Sequence, residues 1–270
     1  AQYHPRQRPW SLQLLNEMEL DKSFSFYQDR FADASDFTFF FVGNFDRKAI
    51  SPRILTYLGG LPSVNRKETW ENTGIDPPQG IMKKHVYRGM EEKSITRIIF
   101  SGNFEWSREN RYTIQSMAQA FRIKLREVLR EDMSGVYGVG VRVKPKHYPE
   151  GEYTISISFG CAPDRVEELT NAVFQQIDSL KTTGLTDKYL TKVKEKQRRE
   201  RETNLKENRF WLNVLKTYDM HNEDFLDILE YEKLIKELSL ENIQKAANQY
   251  FNVENYVQIT LYPENPPGEN

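Results

Sequence analysis

The strongest periodic signal in the chain runs from Ser107 to Lys144. Apolar side chains at Ile114, Met117, Ala118, Phe121, Leu125, Val128 and Leu129 recur at the helical spacing, which predicts a long amphipathic helix capped by Ser107 and running down to Arg130. A Ser134-Gly135 turn breaks it, and Tyr137 opens a strand whose Val139, Val141 and Val143 share one face. The PKHYPEG segment then closes a hairpin onto Glu152 to Gly160, where Tyr153, Ile155, Ile157 and Phe159 alternate with Thr154, Ser156 and Ser158. One face of that strand packs and the other stays polar, as a sheet with helices on a single side requires.

The same reading extends along the chain. Residues 1–20 carry Pro5 and Pro9 among scattered apolar positions and read as a linker from an upstream domain. Asp21 caps a short helix bearing Phe24, Tyr27 and Phe31, and the apolar run Phe37 to Gly43 reads as a strand buried on both faces. A helix with Ile50, Ile54, Leu55 and Leu58 follows, ended by Gly59-Gly60, before a polar surface connection from Ser63 to Gly80. Two strands near Lys83 to Tyr87 and Ile95 to Phe100 are bridged by the charged turn RGMEEK.

Past the hairpin, Asp164 and Glu167 resemble a capping pair for a helix with Val166, Leu169, Val173, Ile177 and Leu180. Thr186 starts another helix, whose stretch Lys192 to Asn204 reads as a solvated rod, and Phe210-Trp211-Leu212 returns the chain to packing. Ser239 caps a helix with Ile243, Ala246, Ala247 and Tyr250, and Tyr256 to Tyr262 is a closing strand before a disordered tail at 263–270. The sum is an α+β domain over 21–262, with about six mostly antiparallel strands and helices on one face.

Bulk properties narrow the chemistry. With 38 basic and 39 acidic residues there is no overall electrostatic footprint for nucleic acid, and no apolar window is long enough to span a bilayer. The single Cys161 rules out an internal disulfide framework and reads as an apolar filler at a strand end. His4, His85, His147 and His221 stand far apart with no H-E-x-x-H context, so no self-contained zinc site is expected. A G-x-S-x-G elbow, a P-loop and a dinucleotide fingerprint are all missing from the sequence. The central turn brings a guanidinium, Arg130, and a phenol, Tyr137, to opposite sides of one short break, where the two could meet on a carbonyl or oxyanion. On spacing alone, a helix-capping Arg and a packing Tyr are the commoner outcome.

The order YQDRFADASDFTFFFVGNFD, ILTYLGGLP, LREVLREDMSGVYGVGV, EYTISISFG and CAPDRVEELTNAVFQQI resembles the C-terminal domain of insulinase/pitrilysin-type zinc metallopeptidases, in particular the long bacterial members. That resemblance implies a clamshell of two halves around a chamber, with zinc on an inverted HxxEH motif in the other half and none held here. It further implies that Arg130 and Tyr137 hold the substrate backbone and support the oxyanion. Arg142, Thr154, Ser156 and Ser158 become candidate chamber-lining residues toward extended peptide. The implied partners are the catalytic N-terminal half of the same protein and a peptide substrate, with no nucleic acid and no membrane span. The implied compartment is the periplasm. The implied function is a non-catalytic, substrate-binding domain of a zinc metalloendopeptidase, inactive alone; the alternative is a catalytically dead scaffold or peptide-binding module of the same fold.

Overall fold

The computed structural model describes residues 4–264, and the chain divides into two compact units, Ala1–Thr73 with Glu202–Ile228 and Gly74–Arg201 with Leu229–Asn270. The described residues hold nine α-helices and one five-stranded sheet, an α+β fold. The last residues of the expected tail, 265–270, lie outside the described range.

The first unit contains α1 (Leu12–Asn16), α2 (Leu20–Arg30), α3 (Arg47–Tyr57) and α7 (Asn208–Met220). Buried Asp33 organises its loops: it accepts from Ser35, from the Val64 amide at 2.9 Å and from the Arg66 amide at 2.6 Å. These donors, the Ser35 hydroxyl foremost, hold its carboxyl well below the usual carboxylate range. Three expectations fail in this unit. Phe37–Gly43 is extended but forms no strand, and Phe39 and Phe41 are exposed; no segment among the described residues offers it a ladder, and a strand exists only through its partner. That accounts for five strands rather than about six. Phe210, Trp211 and Leu212 are only half-buried, because α7 buries no residue fully. The α2 helix starts at Leu20 after Glu19, so Asp21 lies in its first turn instead of capping it.

The second unit is built on the sheet β1 (Ile81–Tyr87), β2 (Ser94–Asn103), β3 (Gly138–Lys146), β4 (Glu152–Cys161) and β5 (Tyr256–Tyr262), in the order β1-β5-β2-β4-β3. Only the β1–β5 pair is parallel. The RGMEEK connection therefore does not close a simple hairpin: β5 is inserted between β1 and β2. On the inward register Ile98, Phe100, Ile155, Ile157 and Phe159 are all buried. Against them pack α4 (Arg108–Leu125) through Ile114, Met117 and Phe121, α5 (Val166–Thr182) through Leu169, Val173 and Ile177, and α9 (Leu240–Tyr250) through Ile243 and Ala247. Phe251 joins the layers, its ring 5.2 Å from those of both Phe100 and Phe121.

Local signals explain most boundaries. Ser107 accepts from the Asn110 amide, and Ser239 with Asn242 forms a capping box, so α4 and α9 start where the sequence places them. The expected Asp164/Glu167 cap does not form; a short 3-10 turn, Pro163–Arg165, leads into α5, and Arg165 instead pairs with Glu168 at 2.9 Å. In α6 (Asp187–Asn204), Gln197 is buried: it accepts from the Tyr112 hydroxyl at 2.7 Å and donates to Ser116 at 2.9 Å. The rod thus carries one buried polar side chain against α4, invisible to an apolar count. The remaining helix, α8, spans Tyr231–Glu237.

Candidate functional site

The helix that delivers Arg130 does not stop there. Beyond Leu125 it widens into a π-helical stretch, Arg126–Asp132, a geometry concentrated at functional sites, and the chain turns back only at Met133. Two anchors hold this stretch. Glu127 accepts from Tyr189 and from the Lys192 ammonium at 2.7 Å, with Lys188 at 3.7 Å, which fixes the segment to α6. The Lys192 and Tyr189 bonds hold the Glu127 carboxyl below its ordinary range. On the other side, Arg165 donates to the Met133 carbonyl at 3.2 Å, and a Cβ placed on Gly135 would meet the buried Leu169 side chain at 2.5 Å. Glycine is required at Gly135 because α5 approaches so closely.

Ser134 takes a positive φ of 48°, and the Gly135 amide then returns to the Leu129 carbonyl at 2.9 Å. The bond draws the residue before Arg130 to the residue two before Tyr137, so both ends of the break are tied together. Tyr137 does not itself open the strand; β3 begins at Gly138. Its amide donates to the Gly160 carbonyl at 3.0 Å, and a Cβ on Gly160 would stand 3.8 Å from its ring. The ring therefore lies over the outward face of the sheet at Gly160, 66% exposed, with the Lys93 ammonium 6.0 Å from its centre. Arg130 is exposed, and its guanidinium has no hydrogen-bond or ion-pair partner among the described residues. Neither group caps the helix or packs into the core.

The polar row also faces outward. Thr154, Ser156 and Ser158 lie half-buried on β4, opposite Lys144, Arg142 and Gly140 of β3, and Arg142 is exposed. The sequence reading singled out these positions but missed Arg97, which pairs with Ser158 from the β2 side. The alternation Ile95-Thr96-Arg97-Ile98 carries that signal, since Thr96 and Ile98 are buried while Arg97 is exposed.

The residues here do not fit a zinc ion. Among the described residues no group of three or more His, Cys, Asp or Glu side chains is placed to hold a metal. Cys161 is buried on the inward face, where burial pushes its thiol up to about 11, and the His147 ring is stacked on Trp106 at 4.9 Å. What the site offers is donors and cations on an open surface: a phenol, a guanidinium and hydroxyls, suited to holding carbonyl and carboxylate oxygens. Among the described residues, no helix is long and apolar enough to cross a membrane.

Comparison with known proteins identifies the family of the fold. The protein "Probable zinc protease PqqL" of Haemophilus influenzae is 29% identical over 170 residues, 62% of this chain and 18% of the relative. The chain spans a quarter or less of the length of the curated relatives it matches. Among solved structures, the peptidase M16 inactive domain from Pseudomonas fluorescens matches with a TM-score of 0.71 at 17% identity, over 94% of this chain and 60% of that one. The periplasmic protease PqqL from Escherichia coli matches with a TM-score of 0.68 at 19% identity, over 82% of this chain and 24% of that one. The family model described as "Peptidase M16 inactive domain" matches residues 17–197, about two thirds of the sequence, and the chain belongs to that family.

Proposed function

We propose that this domain is the substrate-facing, non-catalytic part of a two-half zinc metalloendopeptidase, in which the zinc and the water-activating base belong to the other half. The observation that carries it is the state of Arg130 and Tyr137: both exposed, neither with a side-chain hydrogen bond among the described residues, both anchored on one braced turn beside an open sheet face. A donor whose backbone is braced and whose polar end is left without a protein partner is available to a substrate oxygen when charge develops there.

In this reading the Tyr137 hydroxyl donates to the carbonyl oxygen of the bond being cleaved as it becomes an oxyanion, and Arg130 holds a neighbouring backbone carbonyl. The β4 hydroxyls, Thr154, Ser156 and Ser158, and the Arg142 guanidinium line the enclosed chamber along the peptide beyond that bond. The names of the relatives support a protease setting, and the description of the Escherichia coli neighbour as periplasmic supports that compartment.

The test uses the complete two-half protein. Tyr137→Phe and Arg130→Gln are each expected to lower kcat by roughly ten- to a thousandfold, the scale of losing one oxyanion donor, with zinc content unchanged. Wild-type kinetics in both variants would remove the pair from the mechanism.

A further inference from the structure

The outward register of the sheet carries a one-sided charge. Reading across it, β1 presents Met82, Lys84 and Val86, β5 presents Val257, Ile259 and Leu261, and β2 presents Ile95, Arg97, Ile99 and Ser101. On β4 it continues with Thr154, Ser156, Ser158 and Gly160, and on β3 with Gly138, Gly140, Arg142 and Lys144. Lys84, Arg97, Arg142 and Lys144 are all exposed, and none has an ion-pair partner among the described residues. The only carboxylate on that register, Glu152, is taken by Lys146 at 3.3 Å. At the rim, Glu91 pairs with Lys93 at 3.0 Å. A chain with a formal net charge of −1 thus concentrates unpaired positive charge on one face.

The cations are not evenly spread. Along β4 the floor is made of small side chains, Gly160, Ser158, Ser156 and Thr154, with Arg97 on the β2 side and Arg142 and Lys144 on the β3 side. Tyr137 lies at the Gly160 end. Strand residues rise ~3.3 Å each, so the Ser158, Ser156 and Thr154 rows lie roughly 7, 13 and 20 Å from that end. An extended peptide has the same rise. Residues two, four and six positions from one held beside Tyr137 would therefore come over Arg97, Arg142 and Lys144 in turn.

We infer that this face selects extended polypeptides with carboxylates on alternate residues a few positions from the cleaved bond. The inference rests on the reading of Tyr137 given above and deepens it by naming the substrate's charge. Complementarity decides the class: three unpaired cations along an open strip, Arg97, Arg142 and Lys144, demand an anion, and the Ser/Thr floor leaves room for a backbone while offering hydroxyls to its amides and carbonyls. A nucleic-acid strand is the other anion of this length, but aromatic stacking platforms are missing from the strip, where Tyr137 is the one ring at its end.

The experiment measures kcat/KM of the complete protein on two quenched fluorescent peptides, one with Asp and Glu on alternate residues and one with Asn and Gln in their place. The acidic peptide is expected to be preferred by about two- to fivefold per paired carboxylate, the scale of exposed ion pairs. The preference should appear in KM and shrink as salt rises. In the triple variant Arg97→Gln/Arg142→Gln/Lys144→Gln the ratio between the peptides should fall to near one, with the unfolding midpoint of the wild type confirming the fold. Equal use of both peptides by the wild type, a preference that survives the triple variant, or displacement of the acidic peptide by a single-stranded oligonucleotide at lower concentration would each overturn the inference. Tyr137→Phe separates the two claims: it should lower kcat on both peptides alike, and a normal rate there would refute the parent reading instead.

Discussion

Tyr137 is bonded to Gly160 through its backbone, N to O at 3.0 Å, and its ring rests over the space where Gly160 has no side chain. A Cβ there would only touch the ring, at 3.8 Å, so it is branching beyond Cβ that the low-lying phenol excludes. Gly160→Val puts branched methyls under the ring while suiting a strand backbone, so the ring should lift with little loss of stability. Peptide turnover by the complete protein is expected to drop at least tenfold. The double variant with Tyr137→Phe should be no slower than Tyr137→Phe alone, because both changes remove the same donor.

The turn itself is braced by Gly135 against Leu169. Gly135→Ala is expected to destabilise the domain by about 1–3 kcal/mol, the cost of overpacking a filled site. Leu169→Ala alone costs about 2–5 kcal/mol by opening a cavity. Because the added methyl enters the space that Leu169 vacates, the double variant should be less damaged than the sum, as denaturant midpoints would show.

Glu127 gives the π-helical stretch a pH dependence. Its folded-state pKa is depressed, so its contribution is full above the ordinary carboxylate range and is lost as pH falls through the folded value. Glu127→Gln is expected to lower stability by about 1 kcal/mol at pH 7. The gap to wild type should close on acidification below about pH 4. A gap that stays constant with pH would show that the carboxylate charge is not what holds Lys192 and Tyr189.

Buried Gln197 joins α6 to α4 through Tyr112 and Ser116. Gln197→Leu strands the Tyr112 hydroxyl and should cost about 1–3 kcal/mol, of which adding Tyr112→Phe should recover part. Equilibrium unfolding of the single and double variants measures both terms.

How far the sequence could be read depends on where each element finds its partner. The alternation over Glu152–Cys161 and Tyr256–Tyr262 and the stripe in α4 were legible because their partners lie within this chain and impose a period. Phe37–Gly43 has the composition of a strand, but composition does not specify a ladder. The insertion of β5 between β1 and β2 joins positions about 160 residues apart, such as Arg97 and Ile259, and no local pattern encodes it. The widening of α4 after Leu125 was hidden for a related reason, since the π-helical register is fixed by Glu127 reaching α6 and by Arg165 reaching Met133. At the site, the Arg130–Tyr137 spacing and the β4 hydroxyls stood out in the sequence. Of the unpaired cations only Arg142 did, because which of 38 basic residues share a face follows only from the register.

The most direct test of the account is peptide turnover and bound zinc measured on the 270-residue chain alone, on the rest of the complete protein alone and on the two together. Turnover only when both parts are present, with zinc residing outside this chain, is the predicted result. Peptide cleavage by this chain alone, with one zinc bound per molecule, would contradict it.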